Sequence, residues 1–145
     1  MSCEPPGPCL VTGGGGFLGT EIVRQLRAQG CPVTSASRRR YPHVEALGAT
    51  SVELDVRDAK AQRRVVEGHR TVFHVAAVPG AFGPRERYWS ANFEGTRHVL
   101  EAAVEAEVER FVHTSSPSVV FDGQHHVNAT AADTRYPERF LSHYP

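Results

Sequence analysis

The sequence predicts an α/β fold in which helices cover both faces of a doubly wound parallel sheet. Short apolar segments alternate with helical patterns along most of the chain, and a run of glycines separates the first apolar segment from the first helix. The segment "TVFHVAAV" (71–78) is continuously apolar, which is typical of a strand that is buried on both faces of a parallel sheet. We expect about five strands in the order 3-2-1-4-5.

The first two strands flank a helix. "CLVT" (9–12) is a short apolar segment that glycine stops, which predicts the first strand. From Phe17 onward apolar residues recur at helical spacing, and Gly30 closes this segment as a C-terminal glycine does. "PVTSAS" (32–37) is rich in residues that favour strands and predicts the second strand.

The later elements follow the same alternation, after a short helix between the second and third strands. "TSVELDV" (50–56) alternates as a strand, and "AKAQRRVVEG" (59–68) predicts a helix. The apolar segment 71–78 is the fourth strand, residues 88–108 predict a long helix, and "RFVHTSS" (110–116) is the fifth strand. We expect four apolar residues to share one side of the long helix: Phe93, Leu100, Ala103 and Val104.

The glycine run contains a G-x-x-G-x-x-G motif formed by Gly13, Gly16 and Gly19. In a nucleotide-binding turn one glycine permits the tight bend, one lets the backbone approach a pyrophosphate, and one packs the helix against the strand. Free N–H groups at the start of the helix then face the phosphates. Because this motif follows a strand and opens a helix, it predicts dinucleotide binding rather than a plain structural turn.

The end of the second strand indicates which dinucleotide binds. An NAD site usually has Asp or Glu there, to hold the ribose 2′-hydroxyl. This chain has Ser37 followed by three arginines. Guanidinium groups pair well with phosphate, so NADP(H) is favoured, with Ser37 and Arg38 on the 2′-phosphate and Arg39 as a second candidate. NAD(H) stays possible, and the alternative interpretation of the arginines is a solvated basic loop.

Composition and charge give no support for binding of nucleic acid, membranes or metals. The 16 basic and 16 acidic residues of the 145-residue chain cancel, which gives no reason to expect nucleic acid or an anionic membrane as a partner. No apolar segment approaches the ~20 residues of a membrane span, and the first residues lack the features of a signal peptide. Cys3, Cys9 and Cys31 lack metal-type spacing and are interpreted as reduced thiols of a cytoplasmic protein. We predict no metal site, since His125 and His126 are adjacent without further ligands.

Several segments resemble the extended short-chain dehydrogenase/reductases, which have the Rossmann fold. "TGGGGFLG" (12–19) is similar to the TGxxGFxG turn of that family. Four later segments resemble further family motifs in the same order: "LDVRD" (54–58), "VFHVAA" (72–77), "NFEGTRHVLEAA" (92–103) and "FVHTSSPSVVFDG" (111–123). Within the family, the sequence is most similar to the 3β-hydroxysteroid dehydrogenase-like branch, which includes sterol dehydrogenase/decarboxylases and 2-alkyl-3-oxoalkanoate reductases. Sugar-nucleotide epimerases and dehydratases are relatives with the same turn.

The resemblance implies a set of cofactor-binding residues. The turn would hold the pyrophosphate, Asp55 and Val56 would lie near the adenine, and the end of the fourth strand would lie along the adenosine. Matched to this sequence, the implied residues outside the second strand are Gly13, Gly16, Phe17, Leu18, Gly19, Asp55, Val56, Ala76, Ala77, Val78 and Thr114.

The resemblance also implies the chemistry, which is the interconversion of a secondary alcohol and a ketone. A tyrosine acts as general acid or base, a lysine four residues later lowers its pKa from about 10, and a serine binds the substrate oxygen. The motifs place the serine at Ser116, with Ser115 as the alternative, and the tyrosine at Tyr144. The lysine position falls after Pro145, so we expect this chain to be an incomplete, weakly active or inactive form.

Other interpretations of these residues stay open. Ser116 could simply cap backbone groups at a strand end, and Tyr144 could be an ordinary tail tyrosine. Asn92 could be structural or belong to a proton relay, and His74 is interpreted as a core histidine. The function itself has two alternatives to a dehydrogenase acting on a sterol- or lipid-like 3-hydroxy or 3-oxo substrate: a sugar-nucleotide epimerase or dehydratase, and a catalytically silent dinucleotide-binding module.

The same reasoning divides the chain into three parts. We expect a disordered tail at residues 1–7, a NAD(P)-binding Rossmann domain at 8–116, and the start of a catalytic-loop region at 117–145, with the substrate domain absent. The resemblance further implies a small-molecule substrate and a homodimer for the full-length form.

Overall fold

The computed structural model of the chain describes residues 7–80 and 82–144. Five strands form one parallel sheet in the order β3-β2-β1-β4-β5. The strands are β1 (Cys9–Thr12), β2 (Val33–Ser37), β3 (Thr50–Glu53), β4 (Thr71–His74) and β5 (Arg110–His113). The predicted fold class and strand order are confirmed. The predicted tail falls outside the described residues except for Gly7.

Helices connect the strands and cover both faces of the sheet. Five α-helices are present in the described residues: α1 (Phe17–Ala28), α2 (Pro42–Glu45), α3 (Ala59–Val66), α4 (Arg85–Tyr88) and α5 (Gly95–Glu105). Helix α3 begins at an N-cap, Asp58, whose carboxylate accepts a hydrogen bond from the N–H of Ala61 at 3.0 Å. A 3₁₀ turn at Pro117–Val120 follows β5, and an irregular tail continues to Tyr144.

Two hydrophobic cores lie on opposite faces of the sheet, because β1 sends alternate side chains to each face. Helices α1 and α2 cover one core, which includes Cys9, Val11, Val23, Leu26, Val33 and Val44. Helices α3 and α5 cover the other, which includes Leu10, Val66, Val72, Val99, Ala102 and Ala103. Cys9 and Cys31 are free thiols in the first core, and burial together with the neighbouring Cys31 raises the pKa of Cys9 to about 11.

Strands β3, β4 and β5 end earlier than their sequence patterns predict. The register pairs Thr12 with His74 and His74 with His113, so β1, β4 and β5 end together. A strand continues only while a neighbour offers backbone partners, and β1 turns away at the glycines. The apolar residues 75–78 therefore leave the sheet as irregular backbone. Val75 and Ala76 donate their N–H groups to the hydroxyl of Thr12, and Val78 donates to Asn92.

The long helix differs from its prediction in two ways. It begins at Arg85, and a π-helical segment at Trp89–Glu94 separates α4 from α5. Ala103 is buried, but Phe93, Leu100 and Val104 have exposed fractions of 50%, 46% and 72%. The expectation that these four residues share one side of the helix was therefore wrong, because Ala103 is buried in the core and the other three side chains are exposed. The core face of α5 consists instead of small and β-branched residues that let it approach the sheet closely: Gly95, Val99, Ala102 and Ala103.

Residues 7–80 and 82–144 contain neither a membrane-spanning helix nor a cluster of metal-ligating side chains. No helix in these ranges combines the length and the apolar character that a bilayer-crossing segment requires. Across residues 7–80 and 82–144, His, Cys, Asp and Glu side chains form no group of three or more that could hold a metal ion.

Candidate functional site

The candidate residues gather at one edge of the sheet, because all five parallel strands have their carboxyl ends there. In open α/β sheets ligands bind in the crevice outside this edge, where the strand order reverses. The reversal lies between β1 and β4 in this chain. The glycine turn follows β1, Ser37 ends β2, Asp55 follows β3, Ala76 follows β4, and Thr114 follows β5.

Gly13 requires glycine for two independent reasons. Its φ is +70°, a conformation that side chains disfavour, and an added Cβ would lie 2.8 Å from the Cα and N atoms of Ala76. Its N–H donates to the carbonyl of Ala36 at 2.7 Å, and its own carbonyl accepts from Gly16 at 3.0 Å. The Gly13 turn is therefore packed between β2 and β4.

Gly19 brings α1 against this turn. A Cβ at Gly19 would lie 2.2 Å from the carbonyl oxygen of Gly13 and 2.7 Å from the Cα of Gly14. Gly16 is the N-cap of α1 and has extended backbone. The structure thus places Gly13 at the bend, Gly16 at the start of α1, and Gly19 where α1 packs against the turn.

The start of α1 offers backbone donors to an anion. The first N–H of the helix with an intrahelical partner is that of Thr20, which donates to Gly16 at 2.8 Å. Within the described part of the chain, no side chain caps this helix. The N–H groups of Phe17 and Leu18 are thus left for an outside acceptor, and the helix dipole favours an anion there. Phe17 is fully exposed and Leu18 is partly exposed.

The end of β2 contacts the same turn. The hydroxyl oxygen of Ser37 accepts a hydrogen bond from the N–H of Gly15 at 3.1 Å. The guanidinium carbon of Arg39 lies 5.0 Å from the ring centroid of Tyr41. Arg38 and Arg39 are both exposed. The segment after β2 therefore presents a hydroxyl and two cations beside the glycine turn.

Asp55, after β3, is held by a neighbouring cation. Its two carboxylate oxygens accept hydrogen bonds from the guanidinium of Arg57, the shortest at 2.5 Å. These bonds lower the pKa of Asp55 to about 2, with a smaller contribution from Arg38. The carboxylate is therefore ionised at neutral pH. Val56 lies beside it, and its Cγ2 would be 2.8 Å from a Cβ on Gly95 of α5.

A buried hydrogen-bond network ties the end of β1 to the end of β4. The hydroxyl of Thr12 accepts from the N–H groups of Val75 and Ala76 at 3.2 and 3.3 Å, and lies 2.7 Å from Nδ1 of His74. Because the Thr12 hydroxyl oxygen already accepts two hydrogen bonds, its O–H donates to Nδ1 of His74. The proton of the neutral imidazole is therefore on Nε2, which donates to Thr96 Oγ1 at 2.9 Å. Burial lowers the pKa of His74 to about 4. The interpretation of His74 as a core histidine is confirmed by its exposed fraction of 1%.

Asn92 fixes the chain after β4. Its Oδ1 accepts from the N–H of Val78 at 2.8 Å, and its Nδ2 donates to the carbonyl of Val78 at 3.1 Å. Both ends of the amide are thus used by one backbone unit, which favours the structural interpretation of Asn92 over a proton relay. Ala76, Ala77 and Val78 are held at the edge of the sheet between this anchor and Thr12.

The candidate catalytic residues flank a cavity of about 400 Å³. Tyr144 and Ser118 line this cavity. Ser116 is not part of the lining, but its hydroxyl forms a 2.8 Å hydrogen bond with the hydroxyl of Ser118. Ser116 also accepts from the N–H of Ser118 at 3.3 Å, so it caps the 3₁₀ turn as one of its two interpretations expects. The ring of Tyr144 meets that of buried Tyr88 edge-on, with centroids 6.3 Å apart.

A second cavity, of about 450 Å³, also has Tyr144 in its wall. Its lining is rich in aromatic side chains and includes Tyr88, Trp89, Phe93, Phe140 and Tyr144. Tyr144 therefore lines both cavities.

The comparison of the sequence with protein families decides the family. The 3-beta hydroxysteroid dehydrogenase/isomerase family matches residues 10–145, which is nearly the whole chain. This chain belongs to the 3-beta hydroxysteroid dehydrogenase/isomerase family. The match covers both the glycine turn and the tail that contains Ser116 and Tyr144, and it confirms the resemblance to the short-chain dehydrogenase/reductases.

Individual relatives agree with this membership of the 3-beta hydroxysteroid dehydrogenase/isomerase family. The 2-alkyl-3-oxoalkanoate reductase of Shewanella oneidensis is 39% identical over 135 residues, which are 93% of this chain and 35% of the reductase. A short-chain dehydrogenase/reductase superfamily protein from Agrobacterium tumefaciens, solved with bound NAD, is 32% identical with a TM-score of 0.80, covering 94% of this chain and 40% of that protein. The UDP-glucose-4-epimerase of Stenotrophomonas maltophila, solved with bound NAD and formylated UDP-arabinopyranose, is 26% identical with a TM-score of 0.79, covering 94% and 44%. The chain thus spans well under half the length of each.

Several residues of the site have no role in the sequence motifs of this family member. The turn motif includes Thr12 but assigns it no contact, and no motif distinguishes Ser118 from the serines before it. Tyr41 belongs to no motif, although four consecutive glycines are a signal that something packs closely on the turn. A Cβ on Gly14 would lie 2.3 Å from the hydroxyl of Ser35, and one on Gly15 would lie 2.1 Å from the ring of Tyr41.

Proposed function

We propose that this chain is the dinucleotide-binding part of an oxidoreductase that interconverts a secondary alcohol and a ketone with a nicotinamide cofactor. The observation that carries the proposal is the Gly13 turn, which presents the uncapped N–H groups of Phe17 and Leu18 at the point where the strand order reverses. The relative from Agrobacterium tumefaciens, which was solved with NAD, supports it. Gly13, residues 16–19, residues 55–56, residues 76–78 and Thr114 would hold the cofactor along this edge.

Calorimetric titration of the 145-residue chain with NADPH and with NADH tests the proposal. We expect saturable binding of at least one nucleotide. A Gly16→Val variant should lose binding, because its side chain would stand where the phosphate meets the helix start. Gly16 has extended backbone and no positive φ, so the variant should still fold, which circular dichroism checks. The absence of saturable binding by the folded wild-type chain would reject the proposal.

We further propose that NADP(H) is the preferred cofactor. The end of β2 carries Ser37 in place of a carboxylate, and Arg38 and Arg39 are exposed beside it. An Arg38→Asp variant should bind NADPH about 10- to 100-fold more weakly, since a charge-assisted hydrogen bond contributes about 1.5–3 kcal/mol. Arg40→Asp, which makes the same charge change two residues further along the chain, is the matched control. An unchanged ratio of NADPH to NADH affinity in Arg38→Asp would exclude this role.

The proposed chemistry uses Ser116 and Tyr144 at the cavity. Nicotinamide would supply the hydride, which is the chemistry of the cofactor itself. Ser116 would donate a hydrogen bond to the substrate oxygen. Its hydroxyl lies 2.8 Å from that of Ser118, which lines the cavity together with Tyr144, and this supports the assignment. Tyr144 would exchange a proton with that oxygen. In the full-length protein, Ser116→Ala and Tyr144→Phe should each lower kcat, whereas Ser115→Ala should not.

The lining of the cavity supports a lipid-like substrate. Pro79, Phe121 and Leu141 line it with apolar side chains, and Ser118, Ser142 and Tyr144 contribute hydroxyl groups. A hydrophobic wall with a few polar groups suits a sterol or a 3-oxo fatty compound better than a charged sugar nucleotide. Secondary-alcohol sterols and 2-alkyl-3-oxo acids are the substrates that we would assay first with the full-length protein.

A sugar-nucleotide epimerase is the second candidate, because the UDP-glucose-4-epimerase neighbour has the same fold at 26% identity. Conversion of a UDP-sugar by the full-length protein, without net change in nicotinamide absorbance, would favour it. Binding of NADPH without turnover of either substrate class would favour the silent module instead. The homodimer stays a proposal for the full-length protein, supported by the exposed apolar side of the long helix at Phe93, Leu100 and Val104.

A further inference from the structure

The ring of Tyr41 lies directly on the glycine turn. A Cβ on Gly15 would lie 2.1, 2.3 and 2.6 Å from Cδ2, Cε2 and Cγ of Tyr41, so only glycine leaves room for the ring. Gly15 has no positive φ, and its backbone conformation therefore does not by itself require glycine. The absence of a side chain at position 15 is explained by the contact with Tyr41.

The Tyr41 ring has a second neighbour, His43 of α2. His43 meets it edge-on, with ring centroids 5.4 Å apart, and Nε2 of His43 lies 3.2 Å from the hydroxyl of Thr20. That hydroxyl donates to the carbonyl of Gly14 at 3.1 Å. Tyr41 is therefore fixed between the turn and the first residues of α2, through contacts that use its ring.

Arg39 stacks on the same ring. Its guanidinium carbon lies 5.0 Å from the ring centroid, within the range of a cation–π interaction. A free arginine side chain has many rotamers, and ordering them opposes binding of a ligand. The stack reduces this cost, because it holds the guanidinium near the turn before any ligand arrives.

We propose that Tyr41 is a specificity-determining residue that positions Arg39 for the 2′-phosphate of NADP(H). This inference rests on the proposed function. The sequence analysis names Arg38 as the first candidate for the 2′-phosphate and Arg39 as the second, but Arg39 is the arginine whose side chain is already oriented by a ring contact. Tyr41 then contributes to the affinity for NADPH and leaves the affinity for NADH unchanged, since NADH has no phosphate at that position.

The test measures dissociation constants of NADPH and NADH for wild type, Tyr41→Phe and Tyr41→Leu. Tyr41→Leu should weaken NADPH binding about two- to fivefold and change NADH binding less than twofold. Tyr41→Phe keeps the ring and should behave as wild type. Tyr136→Leu, at an exposed tyrosine of the tail, is the matched control. In an Arg39→Gln background, Tyr41→Leu should cause no further loss for NADPH, because the group that it positions is gone.

The outcomes separate this inference from the function on which it rests. If folded wild type binds neither nucleotide, the proposed function fails and the inference fails with it. If wild type binds both equally well, dinucleotide binding stands but the 2′-phosphate role is rejected. If wild type prefers NADPH and Tyr41→Leu weakens both nucleotides to the same degree, or weakens NADPH equally in the Arg39→Gln background, Tyr41 only supports the turn and the inference alone is wrong.

Discussion

Replacing Gly13 with alanine should destabilise the fold through a close contact as well as through backbone strain. Gly13 has a φ of +70°, and its added Cβ would lie 2.8 Å from two backbone atoms of Ala76, which cannot move without shifting β4. Gly30 supplies a matched control, because its φ of +80° is similar but no atom lies within 4 Å of its added Cβ. The two variants therefore share the strain and differ in the contact.

The magnitudes follow from these two effects. A left-handed conformation costs an alanine about 1–2 kcal/mol, which is the whole expected loss for Gly30→Ala. Overpacking against fixed atoms adds about 1–3 kcal/mol for Gly13→Ala, so its total loss should be about 2–5 kcal/mol. That is a large part of the roughly 5–15 kcal/mol that stabilises a typical domain.

Urea denaturation followed by far-ultraviolet circular dichroism measures both losses. The slope of the transition should be similar for the two variants if their unfolded states expose the same surface. We expect the unfolding midpoint of Gly13→Ala to lie clearly below that of Gly30→Ala. Equal midpoints would refute the reasoning, because they would show that the contact with Ala76 adds nothing to the strain.

Three further predictions concern buried or capping polar groups. His74 has a pKa of about 4 in the fold and about 6.5 when unfolded, so the unfolded chain takes up a proton first. About 3 kcal/mol of stability should be present above pH 6.5 and be lost as the pH falls toward 4. Asp58→Ala should cost about 1 kcal/mol, because the N–H of Ala61 loses its cap. Asn92→Ala should cost about 1–3 kcal/mol, because both polar groups of Val78 lose their partner. Urea denaturation measures each effect.

Conservative variants provide the controls for these three sites. His74→Gln should flatten the pH dependence between 6.5 and 4, whereas His125→Gln, in the exposed tail, should retain it. Asp58→Asn keeps a capping oxygen and should be close to wild type. Asn92→Asp keeps the acceptor and loses the donor, so it should fall between wild type and Asn92→Ala. An undiminished stability in Asn92→Ala would contradict the structural role.

The sequence alone was sufficient to predict those features whose residues lie close together along the chain. The spacing of Gly13, Gly16 and Gly19 between an apolar segment and a helical pattern predicts the turn, because bend, helix start and helix contact all lie within seven residues. The strands and their order follow from alternating apolar segments and from the right-handed crossover that parallel strands require. The Ser37 position follows from the same reasoning, since it stands at the end of a strand, whereas Asp55 was implied by the resemblance of "LDVRD" (54–58) to a family motif.

Patterns of apolar residues could not define where elements end or which side of a helix is buried. Residues 75–78 are as apolar as a strand, but β4 ends at His74 because its neighbours end there. Phe93, Leu100 and Val104 share a side of the long helix, yet that side is exposed. The core side uses small residues such as Gly95, because the close approach of α5 to Val56 leaves no room for larger ones.

The sequence by itself determined the class of fold, the family and the position of the glycine turn, since each is written in residues that are close along the chain. Only the tertiary structure decided that Tyr41 occupies the space above Gly15, that Thr12 binds His74 across 62 positions, and that both ends of Asn92 are used by Val78. These contacts join segments that meet only after the sheet has formed. Their distances depend on strand register and helix placement, which no local pattern specifies.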